Sequence, residues 1–134
     1  MKLLPYTTIL IYETVEDSQR PQEACKLIDQ TKKILILPII IHEYLWVASR
    51  LGIDIKIVLS KISEYLEDLR VYYFAESLDI YQGDGKMFLE DGKQHQELND
   101  YIILAIAHKG KLTLATYDHE LRKAAMERGV KIAP

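Results

Sequence analysis

Asn99-Asp100-Tyr101-Ile102-Ile103-Leu104-Ala105-Ile106-Ala107-His108-Lys109-Gly110-Lys111-Leu112-Thr113-Leu114-Ala115-Thr116-Tyr117-Asp118 is the stretch that decides how the chain is read. Tyr101 to His108 is apolar almost without interruption, and Gly110 closes it as glycine commonly closes a helix. Leu112 to Ala115 is a short run of strand length. Asp118 stands where a further helix begins, Gly129 where that helix ends, and Val130-Lys131-Ile132 reads as a last strand. Helix, covered strand, helix and strand in this order predict half of a parallel α/β layer.

Working outward, the same alternation runs back to the amino end. Leu3-Leu4 reads as a first strand, and Thr7 or Thr8 is placed to cap a helix reaching about Asp17. Pro21 opens a second helix with Ala24, Leu27 and Ile28 as its apolar stripe. Ile34-Leu35-Ile36-Leu37 is all apolar, as a strand covered on both faces must be. Pro38 starts a helix to about Leu51 in which Ile39, Ile40, Ile41, Tyr44, Leu45, Trp46, Val47 and Ala48 cover nearly the whole circumference. That pattern predicts burial all round. Asp54 to about Asp68 is a further helix with Ile57, Val58, Ile62 and Leu66 on one side, and Val71 to Phe74 is a third strand. Between Ser77 and Leu98, Gly83-Asp84-Gly85 and Asp91-Gly92 mark turns. The expectation is a single domain over 1–134: a three-layer α/β/α fold with a mainly parallel central sheet.

The chain has 134 residues, 49% hydrophobic and 28% charged, a globular balance with enough length for one core. No apolar stretch is long enough for a bilayer, and Met1-Lys2-Leu3-Leu4-Pro5 lacks the features of a secretory leader, so the cytoplasm is expected. The single cysteine, Cys25, allows no internal disulfide and no zinc cluster. A net charge of −3 argues against gripping nucleic acid by bulk electrostatics. It leaves room for an enzyme whose carboxylates hold a metal ion that meets phosphate.

Three acids fall where such a fold builds sites, at the carboxyl ends of the strands: Glu43 after the second strand, Asp100 at the start of the Tyr101–His108 helix, and Asp118 after Thr116. Oxygen ligands of this kind suit Mg²⁺ or Mn²⁺. Asp100 and Asp118 each also have a plainer reading, as helix caps. Glu43 lies past the first turn of an apolar helix, where a cap is not needed. A buried carboxylate there requires a cation, an ion-pair partner or a solvent-filled cleft. His119 reads as an exposed first-turn residue, and His42 points away from its neighbour Glu43. Gly83-Asp84-Gly85-Lys86 lacks the spacing of a phosphate loop. Arg122, Lys123 and Arg128 give the last helix a basic side, solvated by default.

Four segments carry a family likeness: Leu3 to Tyr12; Ile41-His42-Glu43-Tyr44; Asn99 to Ala107; and Leu112-Thr113-Leu114-Ala115-Thr116-Tyr117-Asp118. Together they resemble the opening strand and helix, the helical glutamate, the Asp-x-x-Ile-x-Ala-x-Ala helix and the Leu-Val-Thr-x-Asp strand end of the PIN-domain family, in particular its VapC-type toxins. The resemblance covers nearly the whole chain. It implies a metal-dependent endoribonuclease that hydrolyses single-stranded RNA. Glu43, Asp100 and Asp118 would bind Mg²⁺ or Mn²⁺, with Thr116 as a supporting hydroxyl and Thr7 and Thr8 in the family's threonine and asparagine places. It also implies an antitoxin protein as partner and a homodimer. The family's first aspartate falls at Tyr6, and residues 1 to 12 contain no acid that could replace it. The alternative is therefore a catalytically inactive PIN-fold binding module, acting through a dimer or an antitoxin-like partner.

Overall fold

A computed structural model of the chain describes residues 1–15, 21–73, 77–91 and 98–134. Five parallel strands, β1 (Lys2–Pro5), β2 (Lys33–Ile36), β3 (Val71–Tyr73), β4 (Thr113–Ala115) and β5 (Ile132–Ala133), form one sheet in the order β3-β2-β1-β4-β5. The helices are α1 (Thr7–Thr14), α2 (Pro21–Gln30), α3 (Pro38–Arg50), α4 (Ile55–Glu67), α5 (Leu78–Asp91), α6 (Leu98–Gly110) and α7 (His119–Glu127). Leu3, Leu4, Ile34, Leu35, Ile36 and Leu114 are all buried, which is why these strands show no polar alternation.

Register separates the two faces. Ile34 and Ile36 share a cavity with Leu10 of α1, Ile28 of α2 and Tyr65 of α4. Leu35, pointing the other way, meets Ile80 of α5 and Ile106 of α6. Helices thus cover both faces, giving the three-layer α/β/α arrangement expected.

Several local expectations are corrected. Residues 78–91 are helical: Gly83 and Gly85 lie inside α5, the helical penalty of about 1 kcal/mol per glycine being overcome by context. Gly92 lies outside the described residues. Helix α3 is not buried all round. Only Ile40, Tyr44 and Ala48 are fully covered, and Trp46 is 57% exposed beneath Arg50, whose guanidinium carbon sits 4.7 Å from the ring centre. On α4 the inward register is Val58 and Tyr65, with Ile62 half-buried, while Ile57 and Leu66 face outward. Helix α1 is capped by neither threonine. Tyr6 is its N-cap residue, without a side-chain capping bond, and the helix ends at Thr14. Asp17 and Phe74 fall outside the described residues.

The chain fills the sheet from β1 outward on one side (β2, β3) and then on the other (β4, β5). The direction reverses between β1 and β4, and sheets of this kind build their ligand crevice at the carboxyl ends of the strands at such a point. Tyr6 leaves β1 at this point, its amide donating to the Ala115 carbonyl at 2.8 Å. Thr116, Tyr117 and Asp118 leave β4 beside it.

Candidate active site

Each acid is carried by its own element at this end of the sheet. Asp100 sits in the first turn of α6, inside the helix rather than at its cap. The Tyr6 hydroxyl donates a hydrogen bond to Asp100 Oδ1. Burial raises the Tyr6 phenol well above its ordinary pKa. The charge of Asp100 and the hydrogen bond to it add to this, followed by the charges of Glu43 and Asp118. The phenol is therefore a point at which all three carboxylates are felt, although they are separated by tens of residues in sequence.

Glu43, half-buried in α3, has its carboxyl pKa raised, chiefly by burial and further by the charge of Asp100. The Thr7 hydroxyl opposes this. The approach of Thr7 stops short of good hydrogen-bond geometry: Thr7 Oγ1 and Glu43 Oε2 are both buried with no hydrogen-bond partner among the described residues. Thr8 is half-buried one residue further along α1. Among the described residues, no three His, Cys, Asp or Glu side chains come close enough together to form a ready-made metal cluster.

Asp118 is exposed and plays the plainer part foreseen for it. Its Oδ1 accepts from the Leu121 amide at 2.8 Å, capping α7, and its own amide donates to Thr116 Oγ1 at 3.1 Å. Thr116 is thus a buried support for the turn that carries Asp118. Because asparagine caps as well as aspartate while alanine does not, Asp118→Ala should cost about 1 kcal/mol of stability and Asp118→Asn almost nothing. Urea unfolding of the two variants checks this, and equal losses would remove the capping account.

Around the site, Arg122 is anchored by bonds from its guanidinium to the Thr116 and Pro134 carbonyls, at 2.8 and 3.3 Å, so the basic side of α7 is partly structural. His119 and His42 are exposed. Glu13, the nearest acid after Tyr6, is taken up elsewhere by Lys61 and Tyr65. The sequence reading missed the contact that organises the crevice. It treated Tyr6 as a lost acid, whereas in the fold the phenol is Asp100's hydrogen-bond donor across 94 residues.

The PIN domain family matches residues 6–127, and the chain belongs to that family. Among solved structures, the Mycobacterium tuberculosis VapC20 toxin, described as cleaving the sarcin-ricin loop, superposes with a TM-score of 0.77 at 12% identity, over 92% of this chain and 95% of that one. VapBC2 of Rickettsia felis, bound to a promoter DNA fragment, gives 0.70 at 17% identity over 99% and 98%. FitAcB of Neisseria gonorrhoeae gives 0.64 at 20% over 98% and 96%. At these identities the likeness is one of fold. No curated protein matches the chain in sequence.

Proposed function

We propose that the chain is a PIN-type endoribonuclease of the toxin–antitoxin kind, hydrolysing phosphodiesters of single-stranded RNA with Mg²⁺ or Mn²⁺ and weakened by tyrosine at position 6. The observation that carries this reading is the hydrogen bond from the Tyr6 hydroxyl to Asp100 at the point where the sheet reverses direction, with the charges of Glu43 and Asp118 adding to the rise of the Tyr6 pKa. The donor set supports a hard cation. Mg²⁺ keeps several waters and is commonly held by one or two carboxylates plus substrate oxygens, and Glu43 Oε2 is a buried acceptor without a partner among the described residues. Glu43 and Asp100 would hold the ion, with Asp118 at the rim. When bound, it supplies an activated water and neutralises charge on the phosphate.

The chain's own residues govern how readily that happens. Tyr6 stays protonated and donates to an Asp100 oxygen that a cation would otherwise use. Thr116 and the α7 cap fix where Asp118 stands. The Tyr6–Asp100 bond also favours the second reading, a PIN fold that binds without cutting. Either form presents apolar surface suited to an antitoxin protein or a second copy of the chain. Trp46, Ile55, Leu59 and Leu66 on α3 and α4 are each more than half exposed, more than scattered surface hydrophobes need. No helix among the described residues is long and apolar enough to cross a membrane, and we propose a cytoplasmic setting.

Purified protein incubated with single-stranded RNA and Mn²⁺ should cut slowly, and the cutting should vanish in EDTA and in Asp100→Asn. Absence of any cleavage by the unaltered chain at millimolar Mn²⁺ would transfer the argument to the binding module.

A further inference from the structure

The edge of the sheet opposite the acidic crevice is lined with lysine. Lys2 opens β1, Lys33 opens β2 with Lys32 before it, and Lys109 lies near the end of α6; all four are exposed. Lys2 and Lys33 are register partners on neighbouring parallel strands, about 4.8 Å apart across the sheet. Like charges placed opposite one another destabilise a sheet. Neither lysine has an ion-pair partner among the described residues, so the fold tolerates a repulsion that it does not relieve. Local conflicts of this sort concentrate at functional surfaces.

Two adjoining cavities give this edge its shape. One, of about 410 Å³, is lined by Lys2, Lys32, Lys33, Leu69, Arg70 and Tyr72. The other, of about 260 Å³, has apolar walls from Leu35, Ile80, Ile106 and Leu112, with Lys2 and Lys109 at its mouth. Lys2 and Tyr72 line both cavities, which therefore lie side by side along this edge. Register explains the arrangement: Lys2 pairs with Lys33, Leu35 with Tyr72, and Lys33 and Leu35 are two apart on one strand, so all four point to the same face. No acidic side chain among the described residues lines either cavity. Arg70 is occupied by Asp68 and by the Ile28 and Thr31 carbonyls, which leaves the lysines to meet a ligand.

The occupant must be anionic along one side and flat and apolar along the other. Successive phosphates with bases between them have that chemistry, and a basic groove interrupted by an aromatic ring is how single strands are held without regard to sequence. The geometry points to a second RNA-binding surface on this protein, at the lysine edge of the sheet, where phosphates follow Lys2, Lys32, Lys33 and Lys109 and a base stacks on Tyr72. The choice of RNA as the polyanion rests on the proposed function, whereas the surface itself is independent of the acidic crevice.

The test is fluorescence anisotropy with a labelled single-stranded oligouridylate of about ten nucleotides in EDTA, where no metal-dependent cleavage operates. A failure here leaves the nuclease reading standing. The unaltered protein should bind, with affinity falling roughly fifty-fold between about 50 and 200 mM salt, the dependence expected for four neutralised phosphates on a single strand. Lys32→Glu/Lys33→Glu should weaken binding by at least about tenfold, and Tyr72→Ala by at least about fivefold. Lys26→Glu, a charge reversal on α2 outside both cavities, should leave binding unchanged. The charge reversal at Lys33 also places a carboxylate opposite Lys2, turning a repulsion into an attraction. The melting temperature should therefore hold or rise, which separates lost binding from lost folding. Unchanged binding in both groove variants overturns the proposal, as does an equal loss of binding in Lys26→Glu. Competition by uridine monophosphate, by polyglutamate or by anionic lipid vesicles at affinity equal to the oligonucleotide overturns it too, because a nucleotide site or a bare polyanion site would then suffice.

Discussion

Tyr6→Asp should raise Mn²⁺-dependent RNA cleavage by about a hundredfold or more over the unaltered protein, the largest functional change expected of any single substitution in the chain. The substitution replaces a neutral donor with a carboxylate facing Asp100, within reach of the Glu43 and Asp118 charges. A unit charge at about 4 Å is worth roughly 4 kcal/mol at an effective dielectric near 20, ample for a change of that size in occupancy by a divalent cation. A thermodynamic signature accompanies the rate. Without metal the variant should melt below the parent, because a hydrogen bond has become a repulsion. Mn²⁺ should then raise its melting temperature more than the parent's, since a ligand that binds only the folded state stabilises by mass action. Tyr6→Phe serves as control: it removes the donor and adds no charge, so it should not gain cleavage of this size. Cleavage that is equal in parent and Tyr6→Asp, with no difference in Mn²⁺-induced stabilisation, would remove position 6 from any part in metal binding.

The largest structural effect is expected at Glu13. Its side chain is only 8% exposed, and its Oε1 accepts from the Tyr65 hydroxyl at 2.8 Å and from Lys61 Nζ at 2.9 Å. Lys61 also reaches Glu64 at 3.0 Å. Glu13→Ala leaves a buried phenol and a largely buried ammonium without their shared acceptor. The expected loss is about 3 kcal/mol, roughly 10 °C in melting temperature. Because much of that loss is the burden of stranded partners, Glu13→Leu combined with Lys61→Met should recover a good part of it.

The pH dependence has a definite sign. Burial lowers the Lys61 pKa, but the hydrogen bond and charge of Glu13, then those of Glu64, outweigh it and hold the ammonium above its ordinary 10.5. A base whose folded pKa is raised contributes stability that is complete below the unfolded value and lost as pH climbs through the folded one. The gap between parent and Glu13→Ala should therefore be constant from about neutral pH to about pH 10 and narrow above it. A gap that widens with alkali, or a loss under about 1 kcal/mol, would show the cluster to be dispensable.

How much of this was open to a reading of the residues differs from element to element. The parallel sheet was legible because Leu3-Leu4 and Ile34-Leu35-Ile36 carry no polar alternation, a property of the strand itself. Helix α5 was not, because Gly83 and Gly85 look like turns to any local rule, and what overrides them is tertiary. The burial of α3 was overstated because composition says how apolar a helix is without saying how much partner surface exists to cover it, and Trp46 is left outside. The three acids were visible through their place after strands and through family motifs. The Tyr6–Asp100 bond was not, since it joins residues whose proximity only the folded sheet creates. The lysine edge was hidden for a similar reason: a lysine before a strand is commonplace until register sets Lys2 beside Lys33.

Helix α6 runs from the acidic crevice to the lysine groove, with Asp100 near one end and Lys109 at the other. Nine residues of α-helix span about 14 Å, and Ile102, Ile103, Leu104, Ile106 and Ala107 clamp the rod between them. Ile103 at its middle is fully buried, so Ile103→Val should cost about 1 kcal/mol of packing that both edges share, and variants meant to separate cutting from holding are better drawn from the tips of the helix than from its waist.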